Sequence, residues 1–190
     1  MTSRMTRRAF DSTRGRRSAV LSAAVCVLLT GHLGAQQPNP VRYTDPWARF
    51  SVELPQNWGL LAVSGSGEPI VALTQPKLEA AVVIERFVRQ QRLASDQVTE
   101  LFAEIEADVL KENQPRATNI VAKLVTESGR RVVVIDYFRP GLVGTAERVR
   151  QYSFPSGQQM YRITCNAIGT QFDKYEPTFA MVAASFKSLD

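Results

Sequence analysis

Most of the chain after residue 40 alternates between apolar and polar residues, or is apolar over short lengths, with Gly, Pro and Ser between the segments. This pattern predicts β-strands joined by turns. The segments 127–129 and 155–157 are typical of the tight turns of two hairpins. The predicted strands are 50–54, 70–74, 78–88, 118–126, 130–138, 146–154 and 158–168.

One segment in the middle of the chain follows a helical period instead. Ser95 or Asp96 is a natural N-cap, and Pro115 stops any continuation. Acidic residues line the other faces of this helix, and we interpret that acidic outer face as a solvated surface. The apolar residues that recur at helical spacing are Val98, Leu101, Phe102, Ile105, Val109 and Leu110.

A second helix is predicted from about 173 to 186, with Pro177 in its first turn and an apolar side formed by Phe179, Val182 and Phe186. The strand segments 80–84 and 132–135 are apolar on both faces, and a strand of that kind is covered on both sides. The two helices could supply these covers. The predicted fold is therefore α+β, a mainly antiparallel sheet sandwiched between helices.

The first 35 residues have the pattern of a cleavable export signal. Six arginines and one aspartate precede an apolar run at 19–29, and small residues follow it. That run is shorter than the roughly 20 residues that cross a bilayer as a helix. We expect residues 1–35 to be a signal peptide, 36–40 a short linker and 41–190 one domain. The working protein is then exported to the periplasm or outside the cell, with no membrane span after cleavage.

Removing this leader changes the charge of the protein. The whole chain carries +5, from 23 Lys/Arg and 18 Asp/Glu, and the leader holds six of the former and one of the latter. The remaining domain has 17 of each sign and is formally neutral. Nucleic-acid binding, which requires a net basic surface, therefore loses its main support.

The mature domain has few groups that carry out catalysis. His32, the one histidine, lies in the leader, and Cys165 is the one cysteine beyond it. This excludes Ser-His-Asp and Cys-His catalysis, a histidine zinc site and a disulfide within the domain. Cys165 shares a strand face with apolar residues, so we interpret it as a buried, inert thiol. We predict no catalytic, cofactor-binding or metal-binding residues.

Two carboxylates within apolar strands, Glu85 and Asp136, are the most plausible unusual acids. A pair of converging acids would suit a carboxylate-dependent hydrolase. The alternative, which we favour, is that each is salt-bridged or at a sheet edge, beside Arg86 or Arg139.

The segment 50–58 (FSVELPQNW) resembles the opening of PsbP-like domains, in which an extended strand is followed by Pro and then Trp. The stretch from 161–165 (YRITC) to Ser185 and Phe186 resembles their closing strand and helix. This resemblance implies an antiparallel sheet between helices and an exported accessory or binding role. No functional residue can be carried over from the family, because the mature domain has no histidine.

The leading hypothesis is therefore a non-catalytic accessory module that contacts another extracytoplasmic protein. Arg148, Arg150 and Tyr152 project to one face of a strand, with Arg162 on the hairpin partner, and arginine and tyrosine are favoured at interface hot spots. The alternative for these residues is a solvated face, or pairing with the helix acids.

A second hypothesis is a small-ligand or lipid-binding protein with a pocket between sheet and helix. Its lining would include aromatic residues such as Trp58, Tyr137 and Phe138. Aromatic residues of this kind are more often part of the core.

Overall fold

A computed structural model describes residues 39–46, 49–60, 68–141 and 144–189, so the predicted signal peptide and most of the predicted linker lie outside the described residues. The described residues belong to one compact unit, Gln37–Asp190. Their helices are α1 (Glu100–Asn113) and α2 (Phe172–Ser185). Their strands are β1 (Val41–Thr44), β2 (Phe50–Leu54), β3 (Gly59–Leu60), β4 (Glu68–Thr74), β5 (Ala80–Leu93), β6 (Thr118–Glu127), β7 (Arg130–Pro140), β8 (Ala146–Ile168) and β9 (Lys187–Ser188).

The larger sheet has the strand order β3-β4-β5-β8-β7-β6, and every neighbouring pair in it is antiparallel. A smaller antiparallel sheet has the order β1-β2-β9. Strand β8 joins the two halves of the larger sheet, because its first part pairs with β7 and its later part pairs with β5.

The predicted hairpin within 146–168 is visible in β8. Asn166 Nδ2 donates to Glu147 Oε2 at 3.3 Å, although 19 residues of straight strand would span about 60 Å. The two parts of β8 must therefore fold back on each other. Gly157, with φ +59°, provides the left-handed backbone conformation that a tight reversal needs.

One face of the larger sheet packs against α2. The core on this side combines apolar residues of β5, β7 and β8 with the aromatic side of α2 and with β2 of the smaller sheet. Phe186, which follows α2 directly, is fully buried among the rings of Phe50, Phe154 and Tyr161, at centroid distances of 5.6, 4.7 and 5.3 Å. The predicted buried side of the second helix is correct.

The other face packs against α1. Here Val133, Ile135 and Tyr137 of β7 share one buried core with Ala103 and Leu110 of α1. Because alternate residues of one strand enter the two cores, β7 is apolar on both sides, as predicted. The predicted α+β sandwich is confirmed.

The beginning of the first helix differs from the prediction. Residues Ser95–Gln97 form a short 3₁₀ turn, and α1 begins later, with Thr99 as its N-cap. The Thr99 hydroxyl accepts a hydrogen bond from the backbone N–H of Phe102 at 3.3 Å. Ser95 and Asp96 are therefore not the N-cap of the α-helix.

Two other boundaries also differ. Leu78 lies in a turn with φ +59°, and the strand predicted at 78–88 begins at Ala80 and continues to Leu93. Pro177 is the sixth residue of α2, which places it beyond the first turn. Within the described ranges, no helix is long and apolar enough to cross a membrane.

Candidate interaction surfaces

Arg150 is held between the sheet and α2. Its Nε donates to Asp136 Oδ1 at 2.7 Å, across the β7–β8 pair, and its Nη1 donates to Glu176 Oε1 of α2 at 2.5 Å. Burial disfavours the charged guanidinium, but the hydrogen bonds to Asp136 and Glu176 outweigh it, so the pKa of Arg150 is raised. Arg150 therefore attaches α2 to the sheet.

Arg148 and Tyr152 lie on the same side of β8 as Arg150, as predicted. Arg148 Nη1 donates to Asp173 Oδ1 of α2 at 2.9 Å, and its guanidinium lies 4.3 Å from the centroid of the Phe172 ring. Tyr152 is 5% exposed, and burial raises the pKa of its hydroxyl to about 12. Arg148 and Arg150 therefore form ion pairs with acidic residues of α2. The sequence analysis gave this pairing as the alternative to contact with another protein.

Arg162 is on the opposite face of the sheet, beneath α1. Its Nη2 donates to Glu106 Oε2 of α1 at 3.2 Å, and its guanidinium lies 4.5 Å from the centroid of the Phe87 ring. The structure therefore does not bring Arg162 together with Arg148 and Arg150. Contact between these residues and a partner stays a prediction.

The acids Glu85 and Asp136 do not converge. They belong to β5 and β7, which β8 separates in the sheet. Asp136 pairs with Arg150, and Glu85 lies opposite Arg162 in the β5–β8 register. The two acids therefore point to opposite faces, and the hypothesis of a catalytic carboxylate pair is wrong.

The aromatic residues expected to line a ligand pocket do not all lie on one side of the sheet. Trp58 packs edge-on against Tyr175 and Phe179 on the α2 side, with ring centroids 6.0 and 6.4 Å apart. Tyr137 is 1% exposed and lies in the core beneath α1, on the other side of the sheet. The two rings cannot line one pocket with Phe138, because the sheet separates them.

Cys165 is fully buried in the α2-side core, and burial raises the pKa of its thiol, as expected for an inert cysteine. No group of three or more His, Cys, Asp or Glu side chains suited to a metal ion occurs in the part of the chain that the structure describes.

The outer face of α1 is the surface that sequence reasoning assigned incorrectly. Leu101, Ile105 and Val109 are 64%, 50% and 40% exposed, although their spacing matched the expected inner side. The buried residues of α1 are Ala103, Ala107 and Leu110. We call Leu101, Ile105 and Val109 the outer stripe.

The orientation of α1 has two visible causes. Its alanines allow the helix to approach the sheet closely, and Glu106 must point inwards to reach Arg162. Both requirements turn the outer stripe away from the core. The sequence did contain a signal for this orientation. On a helix of 3.6 residues per turn, Ala103, Ala107 and Leu110 form a row opposite the larger apolar residues.

Acidic residues accompany the outer stripe. Glu104, Asp108 and Glu112 are exposed and lie at helical spacing beside it. Lys111, the one lysine of α1, pairs with Asp108 at 2.8 Å. The exposed side of α1 is therefore an apolar row with an acidic border.

No family model and no curated protein matches the chain. Among solved structures, cyanobacterial PsbP (CyanoP) from Synechocystis sp. PCC 6803 is similar, with a TM-score of 0.58, 14% identity, and coverage of 82% of this chain and 95% of that chain. LpqN of Mycobacterium tuberculosis, involved in cell envelope biogenesis, gives a TM-score of 0.51 at 15% identity, covering 78% of this chain and 88% of that chain. The Ran-binding protein Mog1p of Saccharomyces cerevisiae gives 0.53 at 7% identity, covering 80% and 97%.

At these identities the similarity concerns the fold. The sequence resemblance depended on the segment 50–58 and on the closing strand and helix from 161 to 186, and the sheet between helices was predicted separately from the apolar pattern. The chain therefore has the PsbP-like fold, which confirms the resemblance identified from its sequence.

Proposed function

We propose that this protein is an exported, non-catalytic accessory module that binds another extracytoplasmic protein through the outer face of α1. The observation that carries the proposal is the exposed row of Leu101, Ile105 and Val109. Four-residue spacing places these side chains one above another on a helix. Removing their exposed parts from water would contribute about 3 kcal/mol to association. Contiguous apolar surface bordered by polar residues is typical of a protein-binding site.

The acidic border indicates the chemistry of the partner. A segment with Lys or Arg beside an apolar row would match Glu104, Asp108 and Glu112 while burying the outer stripe. A basic amphipathic helix presents both features on one face. A second copy of this chain fits less well, because two α1 helices would bring acidic residues against each other.

The fold and the leader give further support. Mog1p, which shares the fold, is a Ran-binding protein, so this fold is compatible with protein recognition. The basic and apolar leader of residues 1–35 is the basis for proposing export. A small-ligand function has weaker support, because Trp58 and Tyr137, two of the aromatic residues expected to line its pocket, lie on opposite sides of the sheet.

Site-specific photo-crosslinking in the cells that make the protein tests the proposal. A photoreactive amino acid would replace Ile105, and in a matched control it would replace Val88, which is 74% exposed on β5. We expect a crosslink from position 105 to one extracytoplasmic protein, at a segment with basic residues at helical spacing. Position 88 should not give this product.

A charge substitution completes the test. Ile105→Glu should abolish co-purification of the identified partner and leave the urea midpoint of the protein unchanged, whereas Val88→Glu should keep the partner. A photoreactive residue at Arg148 tests the sequence-based prediction of contact by that region. The proposal would be contradicted if crosslinking from position 105 gave only the monomer. It would also be contradicted if positions 105 and 88 gave the same crosslinked products.

A further inference from the structure

A small cleft lies where the beginning of β7, the reversal of β8 and the end of the described chain meet. Two arginines and three serines supply its polar lining: Arg130, Arg131, Ser95, Ser156 and Ser188. All five side chains offer hydrogen-bond donors. The cleft is separate from the outer stripe of α1.

Arg130 is partly removed from water. Its guanidinium lies over the rings of Phe154 and Phe186, at 5.3 and 5.8 Å from their centroids, and its Nη2 donates to the Phe186 carbonyl. Burial lowers the pKa of Arg130, and the charge of Glu127 across the hairpin opposes this only in part. Arg130 therefore keeps a positive charge in a site where water does not fully solvate it.

Arg131 reaches the same cleft. Its Nη1 donates to the backbone carbonyls of Val98 and Asp96, at 3.1 and 3.4 Å. Among the described residues, neither Arg130 nor Arg131 forms a salt bridge with a carboxylate. Their hydrogen-bond partners are neutral carbonyls, so the described part of the chain provides neither guanidinium with a bonded counter-charge.

The serines complete a donor-rich lining. The hydroxyls of Ser156 and Ser188 lie 2.8 Å apart, so one of them donates a hydrogen bond to the other. A hydroxyl can donate to an anion while it accepts from a neighbour. Guanidinium groups and hydroxyls together are the usual donors to carboxylate and phosphate oxygens.

We propose that this cleft binds a single oxyanion group, a carboxylate or a phosphate, between Arg130, Arg131 and Ser156. The anion supplies the bonded counter-charge that the partly buried Arg130 and the exposed Arg131 lack among the described residues. The volume of about 10 Å³ admits an oxygen of one such group at the mouth of the cleft. The group comes either from a free anion or from an acidic residue of a bound polypeptide.

A titration followed by NMR of backbone and arginine Nε–H groups tests the proposal and separates the two sources. Inorganic phosphate is added in one arm and a short acetylated Glu-rich peptide in the other, with ionic strength kept constant by sodium chloride. We expect saturable shifts of the Arg130, Arg131 and Ser156 signals. Saturation with phosphate identifies a free oxyanion, and saturation with the peptide alone identifies an acidic polypeptide.

Three variants make the result specific. Arg131→Gln removes one charge, and Ser156→Asp places a carboxylate in the cleft while keeping both arginines, so each should weaken binding at least tenfold. Arg92→Gln removes an exposed arginine of β5 and should leave binding unchanged. The proposal is overturned if neither ligand saturates, or if Ser156→Asp binds as well as the wild type.

Discussion

The attachment of α2 to the sheet by Arg150 gives a direct test of how the predicted contact residues are used. Replacing Arg150 by Met keeps most of the side-chain volume and removes the guanidinium. Asp136 then loses hydrogen bonds of 2.7 and 3.3 Å, and Glu176 loses one of 2.5 Å. The Asp136 carboxylate, whose side chain is 22% exposed, remains close to the core.

The expected cost follows from the exposure of each partner. Leaving one member of a fully buried pair unpaired costs about 3–5 kcal/mol. Asp136 is partly solvated, and the Lys123 ammonium lies 3.8 Å from its carboxylate. We therefore expect the loss of the Arg150 hydrogen bonds to Asp136 to cost about 2 kcal/mol. The Glu176 side chain is 40% exposed, and its pair contributes about 0.5 kcal/mol. We expect Arg150→Met to lower the free energy of unfolding by about 2–3 kcal/mol.

Urea denaturation followed by fluorescence and circular dichroism measures this change. Asp136→Leu combined with Arg150→Met removes both charges, and it should recover much of the loss, because an apolar pair of similar volume replaces the ion pair. The resulting coupling energy should be about 1.5 kcal/mol or more. Arg92→Met, at an exposed position of β5, is the control and should change stability by less than about 0.5 kcal/mol.

A small effect would refute this reasoning. If Arg150→Met unfolds within about 0.5 kcal/mol of the wild type, the ion pairs do not hold α2 to the sheet. The guanidinium would then be free to serve a partner, as the sequence hypothesis suggested. A large loss combined with unchanged partner binding would identify Arg150 as a structural residue.

Three further predictions concern single positions. Phe186→Ala should destabilise the protein by about 3–5 kcal/mol, because it empties a fully buried site between aromatic rings, and a loss below about 1 kcal/mol in urea would contradict this. The hydrogen bond from the Tyr175 hydroxyl lowers the pKa of Glu79 from its ordinary 4.5. The stability from this bond is therefore fully present above pH 4.5 and lost as the pH falls through the lower folded value. Glu79→Gln should remove that part of the acid dependence, and identical urea midpoints of both proteins from pH 6 to pH 3 would oppose it. Cys165, with Cys26 replaced by Ser, should react with a thiol reagent only as fast as the protein unfolds, and rapid native-state labelling would disprove its burial.

The parts of the fold that the sequence predicted correctly depend on local signals. The two hairpins were predicted from turns in which Gly129 and Gly157 adopt positive φ angles of 77° and 59°. The two-sided apolar strands predicted covers on both faces, because an apolar face must be buried wherever it lies along the chain. These inferences need no knowledge of distant residues.

The parts that it did not predict depend on contacts between distant segments. Strand β9 has two residues, too few for a pattern, and it pairs with β2, more than 130 positions earlier. The cleft beside Arg130 brings together distant segments, since Arg130 donates to the Phe186 carbonyl, 56 residues away. The side chains of adjacent arginines start from opposite faces of a strand, so the sequence does not predict that Arg130 and Arg131 line one cleft at the end of the sheet.

The orientation of α1 also depends on contacts between distant segments, and it bears on the proposed function. Leu101 and Leu110 are nine residues apart, which places them about 180° from each other around the helix. Turning α1 by half a turn would bury Leu101, Ile105 and Val109 and expose Ala103, Ala107 and Leu110, a change that burial of apolar area alone would favour. The structure has the opposite orientation, with Glu106 bonded to Arg162 beneath the helix. The contact between Glu106 and Arg162 leaves the larger apolar side chains in water, and this exposed apolar row is the physical reason for proposing that a partner covers α1.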